Sequence, residues 1–366
     1  MAKKLRTIGV VVCLVAAAGL GIFFLLRPGD KKISPSGGSV ENSSSSLSQT
    51  SKALSSQALL NDNNYYVHQT FNNCGEAALS MDLSFYGIHE SQQALADILR
   101  PDNNTTGKGD DKSTPPDEIA AQAETYGLVA YFRPNGNVDL LKRLVAAGFP
   151  VMTRTLLNTS EDYAHYRVVK GYNDVTGEIT DEDGIQGENV KFSYDDFLTL
   201  WKPFNYEYIV FATPTQQADL ASILGAAADA PTAWGEAAQV ATQALAANPN
   251  DTAAEFDLSV ADYYTGDYAS SVQAFEKTGA ALSEHALWYQ LEPIESYYEL
   301  GNYDKVFSLA QSIFSNGNAT YPELYVVEGE SYLKEGDTAA AKTAFGTALQ
   351  YNKNLKSARD ALSLVP

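Results

Sequence analysis

Cysteine is scarce in this chain. Only two occur among 366 residues, Cys13 and Cys74, and Cys13 lies inside an apolar N-terminal run. That excludes a disulfide framework and a metal centre built from thiolates. Histidine is nearly as rare. The four, His68, His89, His165 and His285, show no i, i+4 spacing of the kind that presents two ligands to one metal. No metal or other cofactor is therefore expected. Positive charge is also short: 25 Lys and Arg stand against 45 Asp and Glu, a net charge of −20. Residues 1–32 hold six basic residues and one acid, a local +5 that leaves −25 on the rest. So acidic a body repels phosphate backbones, which excludes nucleic acid as a partner.

What is present divides the chain into four parts. Residues 1–32 form a basic tip followed by an apolar run over 8–26, long enough to span a bilayer and longer than a typical signal-peptide core. The run predicts a signal anchor, with the protein single-pass in the cell membrane and its bulk extracytoplasmic; a cleaved signal peptide is the alternative. Residues 33–60 are Ser-rich and read as a flexible linker. Residues 61–214 alternate helical and strand patterns, and residues 216–366 are Ala-rich and helical throughout. With 45% apolar residues, both folded parts have material for a core.

In the first folded part, the stretch from Cys74 reads as an amphipathic helix. Asn72 and Asn73 supply cap chemistry and Gly87 a stop. A thiol in the first turn meets unpaired backbone N–H groups and the positive end of the helix dipole, which favour a thiolate. The carboxylate of Glu76, two residues on, works against it. Further helices are expected at 90–99, after Thr114-Pro115-Pro116, at 138–147 and at 193–201. Strands are expected at 129–132, 151–156, 165–172, 178–181 and 207–211, with a hairpin turn at 173–177. Helices first and an antiparallel sheet after make an α+β domain.

The second part repeats. Gly266-Asp267-Tyr268-Ala269, Gly301-Asn302-Tyr303-Asp304 and Gly336-Asp337-Thr338-Ala339 recur at a spacing of 35. Apolar or aromatic pairs precede each turn, and Phe275, Ala310 and Phe345 follow it. The pattern resembles tetratricopeptide repeats, paired helices stacked into an all-α solenoid. The resemblance implies a surface for a protein partner.

One constellation has the makings of nucleophilic chemistry. Cys74 is the sole thiol after the N-terminal run, and His165 opens a strand in the sheet half of the same domain. Asp181, across the hairpin, is placed to orient the imidazole, with Asp174 and Asp183 as neighbouring candidates. Gln69 precedes the nucleophile and offers an amide donor for a tetrahedral oxyanion. The run Gln69 … Asn73-Cys74-Gly75 … Phe85-Tyr86-Gly87 resembles the nucleophile motif of cysteine peptidase family 39. Gly148-Phe149-Pro150-Val151, the His165 to Asn173 strand and Tyr194-Asp195-Asp196-Phe197 … Trp201 extend the likeness over about 64–212. The resemblance implies a papain-like fold and hydrolysis of a peptide or protein substrate. Cys74, His165, Asp181 and Gln69 then fall on the functional positions. The competing expectation is a catalytically inactive papain-fold module that clamps peptides, with the repeats as scaffold. Acyl transfer at the same thiol is a third.

Overall fold

The computed structural model describes residues 54–102 and 111–365, all within one compact unit. The apolar run 8–26 and most of the Ser-rich linker lie outside the described residues. Among the described residues no helix is long and apolar enough to cross a membrane, and the expected single-pass membrane placement is corrected accordingly. The helices present are parts of a packed core and carry polar residues. Even the 18-residue Ala230–Ala247 helix carries Glu236, Gln239, Thr242 and Gln243, which hydrocarbon would not accept.

The first half runs β1 (Gln57–Leu59), α1 (Cys74–Ser84), α2 (Gln92–Leu99), α3 (Pro116–Glu124), β2 (Val129–Arg133), α4 (Val138–Ala146) and β3 (Val151–Asn158). It continues with β4 (Glu161–Asn173), β5 (Glu178–Asp183), β6 (Gly187–Ser193), α5 (Tyr194–Trp201), β7 (Tyr208–Ala212) and α6 (Gln217–Leu224). The strands form one antiparallel sheet in the order β2-β7-β3-β4-β5-β6, with β1 added against β4. The α+β expectation holds. The end of the expected linker is itself ordered as β1, and β6 was not expected.

Period two decides which side chain meets which layer. Val151, Val169, Tyr208 and Val210 pack with Leu141, Leu144, Phe197 and Trp201 from α4 and α5. Their neighbours Met152, Val168, Ile209 and Phe211 pack with Ala78, Leu79, Leu95 and Ile119 from α1, α2 and α3. The sheet is thus covered on both faces. Helix α1 packs against β4, α2 and α3, and every residue from Cys74 to Ser84 is buried. The amphipathic reading of this stretch is corrected: α1 is a central helix with no solvent face. Its buried polar groups are drawn inward, as Ser80 Oγ donates to the Glu90 carbonyl and Ser84 Oγ to the Met81 carbonyl at 2.6 Å.

The second half is helical: α7 (Ala230–Ala247), α8 (Thr252–Thr265), α9 (Tyr268–Thr278), α10 (Glu292–Glu299), α11 (Tyr303–Ser315), α12 (Pro322–Glu335), α13 (Thr338–Tyr351) and α14 (Lys356–Leu364). The turn motifs work by local chemistry. Gly266, Gly301 and Gly336 take φ of 82°, 73° and 86°, the left-handed conformation that ends a helix. The next residue then caps the following helix: Asp267 accepts from Ser270 N, Asn302 from Lys305 N and Asp337 from Ala340 N. Helix α6 lies outside this pattern, since Leu220 and Leu224 join the core beneath α4.

The two halves are bonded together at several points. Asn352 donates to the Leu99 carbonyl and Asn354 to the Asp97 and Ile98 carbonyls, which tie α13 and its following loop to the end of α2. Arg100 is buried and pairs with Asp111 at 3.0 Å, Glu118 at 3.2 Å and Glu323 of α12 at 3.4 Å. Asn205 is fixed by Asp257 of α8. Asp162 of β4 pairs with His285, between α9 and α10, at 2.6 Å.

Candidate active site

The sheet and α1 bring four features of the sequence to one place. Cys74 opens α1 and is buried, at 8% exposure. The backbone amides of Tyr166 and Gly75 stand near its sulfur and favour the thiolate. Burial outweighs them and pushes the thiol up to about 12, with a smaller push from Glu76. The expected thiolate is therefore corrected to a neutral thiol, because desolvation beats the helix terminus here. Nor does the Asn73 side chain cap α1. It donates instead to Thr70 Oγ1 at 2.7 Å.

Glu76 sits two residues from the thiol but looks elsewhere. Its Oε1 accepts from Thr114 Oγ1 at 2.5 Å, and the group is fully buried. Burial raises its pKa against the pull of Arg100 and Thr114. The push of Glu76 on the Cys74 thiol is smaller than that of burial.

His165 is buried in β4, opposite Thr155 of β3. Its Nε2 lies 2.9 Å from Asp183 Oδ1. Asp181 is not its partner, which corrects the sequence expectation. The reason is register. Arg167, two residues after His165, pairs with Asp183, whereas Asp181 pairs with Val169, one repeat further from the histidine. Strand β5 runs two residues beyond the expected end, and its last residue is the one that meets the imidazole.

Asp183 is held on several sides. Oδ1 also accepts from the Ile185 and Gln186 amides at 2.8 Å each, and Oδ2 faces Arg167 Nε at 2.8 Å. Burial works against its charge, but the His165 bond and Arg167 hold the carboxyl below the ordinary range. Burial lowers the His165 pKa, opposed by Asp183 and reinforced by Arg167. The consistent state at neutral pH is a carboxylate accepting the Nε2–H of a neutral ring. Arg167 is itself buried and spends its other N–H groups on Thr155 Oγ1 and the Leu156 and Leu157 carbonyls. Asp181 has no hydrogen bond on either oxygen and stands 3.9 Å from Arg167. Burial raises its pKa well above the usual carboxylate value, with Asp183 and Glu182 adding to the rise. Glu182 faces away and pairs with Lys170.

Gln69 is anchored to the turn that follows Asp183. Its amide donates to the Gly184 carbonyl at 2.8 Å, and its Oε1 is buried without a partner. Space exists there only because residue 184 lacks a side chain: a Cβ would lie 3.1 Å from Gln69 Cβ and 3.2 Å from Oε1. Tyr66 hydroxyl donates to the Asp183 carbonyl at 3.0 Å and closes the same turn. One short turn thus sets both the acid and the glutamine.

No hydrogen bond joins the Cys74 sulfur to the imidazole, although Cys74 meets the backbone next to His165. The helical half reaches this spot. Tyr289, between α9 and α10, places its hydroxyl beside the amide of Ala164, the residue before His165. Its neighbour Trp288 packs on His285, which stacks on Tyr163 at 4.8 Å. Sequence reasoning did not single out Trp288 or Tyr289, which lie outside the repeated turn motifs.

Residues 59–209 match the model of the Peptidase_C39 like family, so the likeness carried by Gln69, Cys74 and His165 extends across the α+β half. Among solved structures, a protein described as a C39-like peptidase from Bacillus anthracis is 17% identical, with a TM-score of 0.35, covering 43% of this chain and 98% of its own. The peptidase domain of Streptococcus ComA, titled a bi-functional ABC transporter involved in a quorum-sensing pathway, is 18% identical. Its TM-score is 0.32, and the match covers 40% of this chain and 96% of that one. No curated protein matches.

Proposed function

We propose that the C39-like segment 59–209 is a cysteine peptidase whose catalytic groups are Cys74, His165, Asp183 and Gln69. The carrying observation is the pairing of His165 Nε2 with Asp183 at 2.9 Å on a strand whose next amide stands beside the Cys74 sulfur. Asp183 fixes Nε2 as the protonated nitrogen, which leaves Nδ1 to exchange a proton with the thiol. As the sulfur attacks a peptide carbonyl, its proton passes to His165 and an S–C bond forms. The carbonyl oxygen takes the negative charge, met by the α1 amide of Cys74 and by the Gln69 side chain turned about its soft terminal torsion. His165 then gives its proton to the leaving amine as the C–N bond breaks. Water hydrolyses the thioester by the same groups in reverse order. The helical half, with its tetratricopeptide-like turns, recruits the peptide or protein that is cut.

The test is cleavage of a mixed peptide library by the full chain, read by mass spectrometry, with Cys74→Ala and His165→Ala as controls. Cleavage that both substitutions abolish supports the peptidase. A wild-type chain that cuts nothing overturns it. One observation favours a second reading, a peptide clamp without catalysis: the thiol is covered and its pKa stands near 12. In that case Cys74→Ala leaves peptide binding and cellular phenotype unchanged.

A further inference from the structure

Between the α+β half and the helices lies a cavity of about 360 Å³ that the steps above do not use and that none of the four catalytic groups lines. Its walls come from the first helix of three successive hairpins, α8, α10 and α12, and from the segment that leads into α3. Six carboxyl groups line it against one guanidinium, Arg154. That guanidinium is already committed, one arm to Glu207 and the other to the Tyr289 carbonyl at 2.9 Å. Arg100 answers Glu118 and Glu323 from behind the wall. Among the described residues Glu292 and Glu295 on α10 make no salt bridge, and the cation acting on Glu292 is the committed Arg154.

The second observation concerns Glu292 itself. It is 7% exposed, and its Oε1 accepts from the Tyr264 hydroxyl at 3.0 Å. Its Oε2 is buried with no hydrogen-bond partner. A buried carboxylate oxygen left without a donor costs free energy unless something supplies one. Tyrosine rings of Tyr263, Tyr264 and Tyr289 also line the cavity, and aromatic faces attract cations. Burial, and then Glu292, raises Glu295 to about 8, so the empty cavity holds protons that an arriving cation would displace. Tyr289 ties the cavity to the chemistry, since the same residue lines the cavity and places its hydroxyl beside the amide of Ala164, which precedes His165.

We propose that this cavity is a specificity pocket that takes the cationic side chain, lysine or arginine, of a peptide held at Cys74. The acidic floor supplies charge, Glu292 Oε2 accepts the N–H, and the tyrosines cover the aliphatic stem. The substrate assignment rests on the peptidase reading; the pocket's preference for a cation does not.

The experiment uses the full chain carrying Cys74→Ala, so that binding is measured without turnover. The probes are a hexapeptide with one central arginine and its citrulline counterpart, which keeps shape and removes charge. Isothermal titration is expected to show arginine over citrulline by at least about tenfold, the scale of one desolvated charge contact. With Glu292→Gln added, a substitution that keeps size and leaves the melting curve to report folding, the ratio falls to near one. Equal affinities for the two peptides, or a ratio that Glu292→Gln leaves unchanged in a folded protein, overturn the pocket. Cleavage of library peptides without any basic preference overturns it while leaving the peptidase reading standing. Selective arginine binding without cleavage by the wild type keeps the pocket and removes the peptidase.

Discussion

His165 Nε2 is 2.9 Å from Asp183 Oδ1, and the other oxygen of Asp183 faces Arg167 Nε at 2.8 Å. The acid that orients the imidazole is therefore fixed by a buried cation rather than left to solvent. Asp183→Asn keeps the shape but removes the charge and offers the ring a donor, so the tautomer is lost. Steady-state kcat/KM on the best library peptide is expected to fall by about a hundredfold or more. The Asp181 side chain makes no hydrogen bond and is not the partner of His165, so Asp181→Asn should change kcat/KM at pH 7 by less than about threefold. A larger loss at Asp181 than at Asp183 would restore the sequence-based assignment.

Arg167 makes a separate stability prediction. It is fully buried and answers Asp183 while satisfying three oxygens of β3 and its end. Arg167→Leu leaves the Asp183 charge buried without its cation, which costs about 3–5 kcal/mol. Urea unfolding of the full chain measures it as a lower midpoint with an unchanged slope. A cost below about 1 kcal/mol would mean that Asp183 is neutral in the fold.

The buried acid Asp181 also sets a sign for pH dependence. Its folded pKa is raised well above its ordinary value, with burial as the chief cause. The folded state then binds more protons than the unfolded state once pH exceeds the ordinary carboxylate range. Its contribution is intact below the unfolded pKa and is lost as pH rises toward the folded one. Asp183 has the opposite sign: its contribution is present above the unfolded pKa and goes as pH falls into the acid range. Asp181→Asn should therefore melt higher than wild type at pH 8 and coincide with it near pH 4. Equal melting temperatures at both pH values would mean that Asp181 is ionised at no cost.

Most of this architecture was legible because local chemistry writes it. Gly266, Gly301 and Gly336, each followed by Asp or Asn, declare a helix stop and the next helix start. The alternation in β3, β4 and β7 declares a sheet. Register is a different kind of fact. Whether Asp181 or Asp183 meets His165 depends on the bulge between Val169 and Gly171 and on β6 extending β5, and neither follows from propensity. Strand β6 was missed because Gly187, Glu188, Asn189 and Lys191 mask the alternation of Val190 and Phe192. Burial of α1 was missed for a related reason, since Glu76, Ser80, Asp82 and Ser84 give it a polar stripe that tertiary packing encloses. The place of Tyr289 beside Ala164 joins residues far apart in sequence, and no local pattern encodes that.

Gly184 offers a test of the glutamine. Its φ is unremarkable, so alanine there meets Gln69 rather than backbone strain, with Cβ 3.1 Å from Gln69 Cβ. Gly184→Ala is expected to lower kcat by about tenfold through a displaced oxyanion donor, with little change in KM. In a Gln69→Ala background the same change should add almost nothing, because the group it displaces is gone. Additive losses would show that Gly184 acts on Asp183 instead.

The last prediction concerns the thiol directly. Burial is the largest cause of the raised Cys74 pKa, and Glu76 contributes less. Removing cover should therefore matter more than removing charge. Iodoacetamide labelling of the full chain is expected to rise about tenfold per pH unit from pH 6 to 9, as a thiol with a high pKa requires. A plateau in that range would instead report an ion pair with His165 already formed. Tyr289→Ala removes the side chain that the helical half sets beside the Ala164 amide, next to His165, and should speed labelling at pH 8 by about tenfold or more. Glu76→Gln should change it by less than about threefold, since Glu76 bonds Thr114 and ranks below burial among the causes of the raised thiol. The reverse order, with Glu76→Gln the faster variant, would place charge rather than cover in control of the nucleophile.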